Sequence, residues 1–202
     1  DRVGNYLPVP AAYEFGLPEM QTQHTCILLE DVIEHCNLRC PTRATVSGPQ
    51  LPGVVSLAQI LASVDTRLER EHGRLDVLML SGGEPTLHPE LDALLDELVS
   101  RPIVRILINS NGLRIAQDDA LLAVLRRHRE RVEVYLQYDG GSPEASIAHR
   151  GADIRRFKDA AIQRLSGAGI FTTLTMTAAL GVNEGEIGAV VQRALATPYV
   201  AG

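Results

Sequence analysis

Cysteine is scarce in this sequence. Cys26, Cys36 and Cys40 are the whole supply among 202 residues. An odd and small number excludes a disulfide scaffold and points to reduced thiols in a cytoplasmic setting. Long apolar runs are missing too. No stretch approaches the ~18–20 residues that a membrane-spanning helix needs. Basic residues form no long run and the formal net charge is −6, which argues against a nucleic-acid-binding surface. There is no Gly-x-x-x-x-Gly-Lys-Ser/Thr string, and no Gly-x-Gly-x-x-Gly fingerprint follows the first strand, so a nucleotide-binding protein of those classes is set low. The chain opens on Asp1 with no initiator Met and no apolar signal segment, which reads as a fragment or a processed chain. No internal repeat or low-complexity stretch is visible.

Hydrophobic residues make up 45% of the sequence, enough for the core of one ordinary domain. Residues 1–25 read as an irregular lead-in, with Pro8, Pro10, Gly16 and Pro18 and little periodicity. From residue 26 strand and helix patterns alternate. Strands are expected at Cys26 to Ile33, Leu75 to Leu80, Ile103 to Ile108, Val132 to Leu136 and Phe171 to Met176, mostly as continuous apolar runs. Helices are expected from Ser56 to Glu69, with a Ser56/Gln59 capping box, and from Glu90 to Val99, with Pro89 in the first turn. Three more are expected: Asp118 to His128, Ile154 to Leu165, and Glu184 to Leu195 capped by Asn183 and Glu186. Five βα units in series imply parallel strands, as an open doubly wound sheet or a partial β/α barrel. A sixth strand is expected to begin around Pro198-Tyr199-Val200, so the core reads as C-terminally incomplete.

In either architecture, functional groups belong at the carboxyl ends of the strands. The unusual residues fall there. Cys36 and Cys40 follow the first strand, Ser81-Gly82-Gly83-Glu84 the second, Asn109-Ser110-Asn111-Gly112 the third, and Gln137-Tyr138-Asp139-Gly140-Gly141 the fourth. Two thiolates four positions apart on a tight loop can hold neighbouring irons of one cluster; the plainer reading is two buried core cysteines. The double glycine lets the backbone approach a ligand closely, and Glu84 is an acceptor suited to an ammonium group; the plainer reading is an ordinary strand-to-helix turn.

The pairing of Cys36-Asn37-Leu38-Arg39-Cys40 with Ser81-Gly82-Gly83-Glu84-Pro85-Thr86-Leu87-His88-Pro89 resembles the radical S-adenosylmethionine (radical SAM) superfamily, in the branch of tetraether-lipid-synthase-like and methyltransferase-like proteins. The resemblance runs over roughly residues 26–196. It implies a partial (β/α) barrel over 26–202 and an enzyme that cleaves SAM reductively to start radical chemistry on a substrate. It also implies a [4Fe–4S] cluster, SAM, and an electron donor such as a ferredoxin or flavodoxin. Cys36 and Cys40 match two of the three cluster ligands. Gly82, Gly83 and Glu84, with Ser81 before them, match the loop that receives the SAM amino group. Asn109, Ser110, Gln137 and Asp139 match positions that contact ribose, carboxylate or substrate. Arg150 reads as a solvated surface residue, with pairing to a carboxylate as the alternative.

One position departs from the pattern. Where the resemblance calls for a third thiolate, three residues after Cys40, this sequence has Arg43. A guanidinium stays protonated and has no lone pair for iron. Cys26 starts the first strand, about eight residues and ~3.3 Å per residue from the cysteine loop, and reads as a core residue at the opposite end. His35 adjoins Cys36 on a different face of the chain. Three readings of Arg43 stand: a degenerate homologue that binds SAM or a partner without catalysis, an altered form of an active enzyme, or an unusual ligand. The first two are favoured.

Overall fold

The computed structural model describes residues 25–42 and 47–202. Six parallel strands form one sheet in strictly sequential order. They are β1 (Ile27–Ile33), β2 (Leu75–Gly82), β3 (Ile103–Ser110), β4 (Val132–Gln137), β5 (Thr172–Thr175) and β6 (Val200–Ala201). A doubly wound sheet would place β1 in the interior. Here β1 is at one edge and each strand pairs with its successor, the order of a partial (β/α) barrel. The sixth strand sits where the sequence places its start.

The helices are α1 (Leu57–Arg70), α2 (Leu91–Val99), α3 (Asp119–Arg127), α4 (Pro143–Arg150), α5 (Arg155–Gly167) and α6 (Ile187–Ala196). Ser56 and Gln59 make the expected capping box on α1. That helix buries Ile60, Val64 and Leu68, and α2 buries Leu91, Leu94, Leu95 and Leu98. Both stripes pack on strand residues such as Leu78, Leu80, Ile106, Ile108, Val134 and Leu136, all fully buried. Alternation then leaves the opposite strand faces for the barrel interior.

Three local expectations are corrected. Glu184–Glu186 is a 3-10 turn, and Asn183 caps no helix with its side chain. Its amide instead donates to the carbonyls of Asp139 and Thr177, at 2.8 and 3.0 Å, and so ties the ends of β4 and β5 together. Pro89 precedes the N-cap Glu90 rather than lying in the first turn of α2. Cys26 is exposed, one residue ahead of β1, and is not a core residue. It does lie at the amino end of β1, away from the cysteine loop.

Helix α4 lies in what reads as the loop after β4. Ser142 accepts from the Ala145 amide at 3.2 Å, Pro143 occupies the first turn, and Gly151 ends the helix at φ +74°. The Glu186 carboxylate also accepts from the Ser142 amide, at 3.0 Å, at the start of this helix. α4 is short, and its last residues carry it onto the cysteine loop.

Candidate functional site

A cavity of about 430 Å³ opens at the carboxyl rim. Its wall includes Cys36, Cys40, Ser81, Gly82, Gly83, Glu84, Asn109 and Gln137, eight residues that the sequence singles out. Leu29, Met79, Tyr135 and Thr175 line it from the strand interiors. The carboxyl ends of four consecutive strands, with the loops that follow them, therefore converge on one space. Ser110 and Asp139 do not line it. Both are buried behind it and hold its wall.

The cysteine loop is pinned from two sides. On the inner side, Glu34 and Cys36 bond through their backbone to Gly53 and Gly48. The Gly83 and Glu84 amides donate to the carbonyls of Ile33 and His35, at 2.6 and 2.9 Å. This explains the double glycine. Gly82 has φ +111°, and a Cβ there would lie 2.3 Å from the Ile33 carbonyl oxygen. A Cβ on Gly83 would lie 2.1 Å from that of His35. Both glycines pack closely against the strand-one loop, and both also line the cavity.

On the outer side, the end of α4 closes over the loop. The Thr42 hydroxyl lies 3.1 Å from His149 Nδ1. A Cβ on Gly151 would meet the Arg39 carbonyl at 3.0 Å. Behind the loop, Cys36 and Leu38 pack on Ile154, with Cys40, Leu113 and Phe157 around them. Burial raises the Cys36 thiol above its ordinary range, so a bound metal would have to drive its deprotonation.

Glu84 is held by groups of its own chain. Its carboxylate is almost wholly buried, at 1% exposure. Oε1 accepts from the Thr86 amide (3.2 Å), the Thr86 hydroxyl (2.6 Å) and the Ser110 hydroxyl (2.8 Å). Oε2 accepts from the Asn111 amide at 2.8 Å. With four donors of its own chain, the carboxylate is a bolt between the ends of β2 and β3. Glu84 also stands in the cavity wall, beside Ser81 and the Gly82-Gly83 backbone.

Arg150 is corrected as well. It is 7% exposed and makes a two-pronged ion pair with Asp139, Nε to Oδ2 at 2.5 Å and Nη2 to Oδ1 at 2.6 Å. Nη1 donates to Gln137 Oε1 at 2.5 Å, and Gln137 Nε2 donates to Asn109 Oδ1 at 3.1 Å. Burial disfavours the guanidinium charge, but the Asp139 bonds outweigh it and hold Arg150 protonated, with Cys40 adding to the effect. The result is a buried positive charge beside the cavity, with Asp139 committed to it. Asn111, absent from the sequence-based set, donates from Nδ2 to Asn37 Oδ1 at 2.7 Å and reaches Cys36 Sγ at 4.0 Å. Its place directly after Ser110 in a polar rim loop was the available signal.

Two thiols on one cavity wall suit an iron–sulfur cluster in kind. In number they fall one short of the three ligands that the resemblance implies. Among the described residues, the one cluster of three metal-ligand side chains is Asp92, Asp96 and His128, on the surface and away from both thiols. Arg43 lies outside the described residues.

Comparison with known proteins agrees with this geometry. The model of the Radical SAM superfamily matches residues 32–194. The 7,8-dihydro-6-hydroxymethylpterin dimethyltransferase of Methanocaldococcus jannaschii is 25% identical over 187 residues, 90% of this chain and 36% of that protein. Mycofactocin maturase MftC of Mycobacterium tuberculosis is 30% identical over 134 residues, 66% of this chain and 32% of that protein. The chain thus spans about a third of the length of these curated relatives. Among solved structures, Streptococcus suis SuiB bound to S-adenosylmethionine superposes with a TM-score of 0.63 at 13% identity, covering 84% of this chain and 37% of that one. The anSMEcpe structure with bound AdoMet gives 0.58 at 21% identity, covering 74% and 42%. These likenesses show the fold, and the family match covers most of the sequence: the chain belongs to the radical SAM superfamily.

Proposed function

We propose that the chain is the core of a radical SAM enzyme that holds an iron–sulfur cluster through Cys36 and Cys40 and binds SAM across the rim cavity. The observation that carries this is the convergence of both thiols, the Gly82-Gly83 backbone, Asn109 and Gln137 on one 430 Å³ space. When bound, the cluster would supply the electron that breaks the S–C5′ bond of SAM, giving methionine and a 5′-deoxyadenosyl radical, the electron coming from a donor such as a ferredoxin or flavodoxin. The residues of this chain then have separable tasks. The Ser81–Gly83 stretch presents the polar groups for the SAM amino end. Asn109 and Gln137, held by each other and by Arg150, are placed for the ribose or carboxylate. Ser110 and Asp139 hold those groups in place from behind the wall, and Glu84 ties the ends of β2 and β3 together within it. Reduced thiols suit a cytoplasmic setting, and no described helix is long and apolar enough to cross a membrane.

A second reading is favoured by one observation, the arginine at position 43. A degenerate relative would keep the SAM cavity, lack a stable cluster and act by binding. Iron and sulfide counted per chain after anaerobic reconstitution separate the two. Four of each with reductive SAM cleavage supports the enzyme; labile, substoichiometric iron with SAM binding intact supports the degenerate form.

A further inference from the structure

The sequence contains one lysine, Lys158, against a large excess of arginine. It is on α5, and it is buried, at 4% exposure. Its Nζ donates to the carbonyl of Asn111 at 2.6 Å and to that of Gln137 at 2.5 Å. Strands β3 and β4 pair up to Ser110 and Leu136, so Asn111 and Gln137 stand at the next rung, where the ladder has ended. The ammonium spans that gap with two of its three protons. Both residues line the cavity. The side chain of one reaches the cysteine loop at Asn37 and Cys36, and that of the other meets Asn109 and Arg150. A lysine with only a packing role has no reason to sit under this pair of carbonyls. An arginine, the usual base in this chain, has a planar fork too broad for a single point between two carbonyl oxygens.

We propose that Lys158 is a positioning residue for SAM: by bridging the Asn111 and Gln137 carbonyls it fixes the spread of the β3 and β4 ends, and with it the two cavity-lining side chains that those ends carry. Burial, with Arg150 adding to it, lowers the Lys158 ammonium to about 7, while Asp139, Glu84 and Cys40 face it from the other elements and oppose the shift. The clamp is therefore strongest below pH 7, where the ammonium makes charge-assisted bonds, and weaker above it, where a neutral amine remains. Global stability runs the other way. The folded-state value lies below the ordinary 10.5, so the unfolded chain binds more protons between the two, and stability rises with pH through that window. A purely structural lysine would move stability without moving SAM affinity in the opposite sense.

The inference rests on the reading of the rim as a SAM site, and the test keeps the two apart. SAM binding to the reconstituted protein is measured by calorimetry from pH 6 to 8.5, for the unaltered chain and for Lys158→Met. The unaltered chain is expected to lose about fivefold in affinity across that range, the difference between charged and neutral hydrogen bonds. Lys158→Met is expected to bind about fivefold more weakly at pH 6 and to lack this pH dependence once the titration of SAM itself, common to both, is divided out. Selective carbon-13 labelling gives a single lysine signal, because there is one lysine, and it needs no variant. SAM should raise the midpoint of that signal, since a ligand favoured by the protonated form must favour protonation in return. Coincident pH profiles in the two proteins, or an unmoved midpoint when SAM is bound, would overturn the role of Lys158. No SAM binding by the unaltered chain at any pH would overturn the site itself.

Discussion

Replacing Glu84 by Gln changes one oxygen for one NH₂ group and leaves the volume nearly unchanged. In the native chain four donors point at that carboxylate, three of them at Oε1. The amide can keep its oxygen toward Thr86 and Ser110 only by aiming its NH₂ group at the Asn111 N–H, donor against donor. Turning it over confronts three donors instead of one. At least one charge-assisted bond is lost at a site 1% exposed, and the others lose the charge. A cost of about 3 kcal/mol follows. For a domain of this size that lowers Tm by about 6–12 °C. Thermal denaturation by circular dichroism and a SAM titration on the same variant read the two consequences together. Glu84→Gln should lose stability first, with SAM affinity falling because the β3 end is no longer bolted to β2. An unchanged Tm together with a lost SAM affinity would refute the reasoning, because it would mean that the carboxylate faces the ligand and not its own chain.

Gly83→Ala puts a methyl group 2.1 Å from the His35 carbonyl oxygen, which is backbone and cannot rotate aside. The cysteine loop must shift, so iron uptake in anaerobic reconstitution should fall well before the far-ultraviolet dichroism changes; full uptake would show that the loop tolerates the displacement. Asp139→Ala leaves the Arg150 guanidinium buried without its counter-charge and should cost about 3–5 kcal/mol in chemical denaturation. Adding Arg150→Met should recover part of that loss, and a double variant no more stable than the single one would contradict the assignment of the cost to an unpaired charge.

Much of the fold is legible because apolar runs and capping residues report local structure directly. The five strands, the capping box at Ser56 and Gln59 and the inward leucines of α2 all follow from period and cap. Helix α4 is harder. Its signals, Ser142-Pro143 before it and Gly151 after it, are present, but its buried face is Ala145, Ser146, His149 and Arg150, which carries no apolar stripe. Eight of the residues that line the cavity are legible, since each falls at or just past the carboxyl end of a strand. Their division of labour is not. Whether Glu84 faces a ligand or four donors of its own chain depends on where Thr86, Ser110 and Asn111 fall in three dimensions. The same holds for Arg150, whose polarity suggests solvent while Asp139, eleven residues earlier, draws it inside. Lys158 is invisible for a related reason: its partners are backbone carbonyls, which leave no trace in sequence.

Iron content tests the consequence of Arg43 most directly. Iron and acid-labile sulfide are measured per chain after anaerobic reconstitution and desalting, for the unaltered protein and for Arg43→Cys, followed by SAM cleavage with a strong reductant. With Cys36 and Cys40 on one cavity wall and a guanidinium at the third position, the unaltered chain should hold its iron less firmly than Arg43→Cys and lose more of it on desalting. Arg43→Cys should retain close to four irons per chain and give a higher yield of 5′-deoxyadenosine. Equal retention of iron by the two proteins after desalting would contradict the claim that Arg43 leaves the site one ligand short.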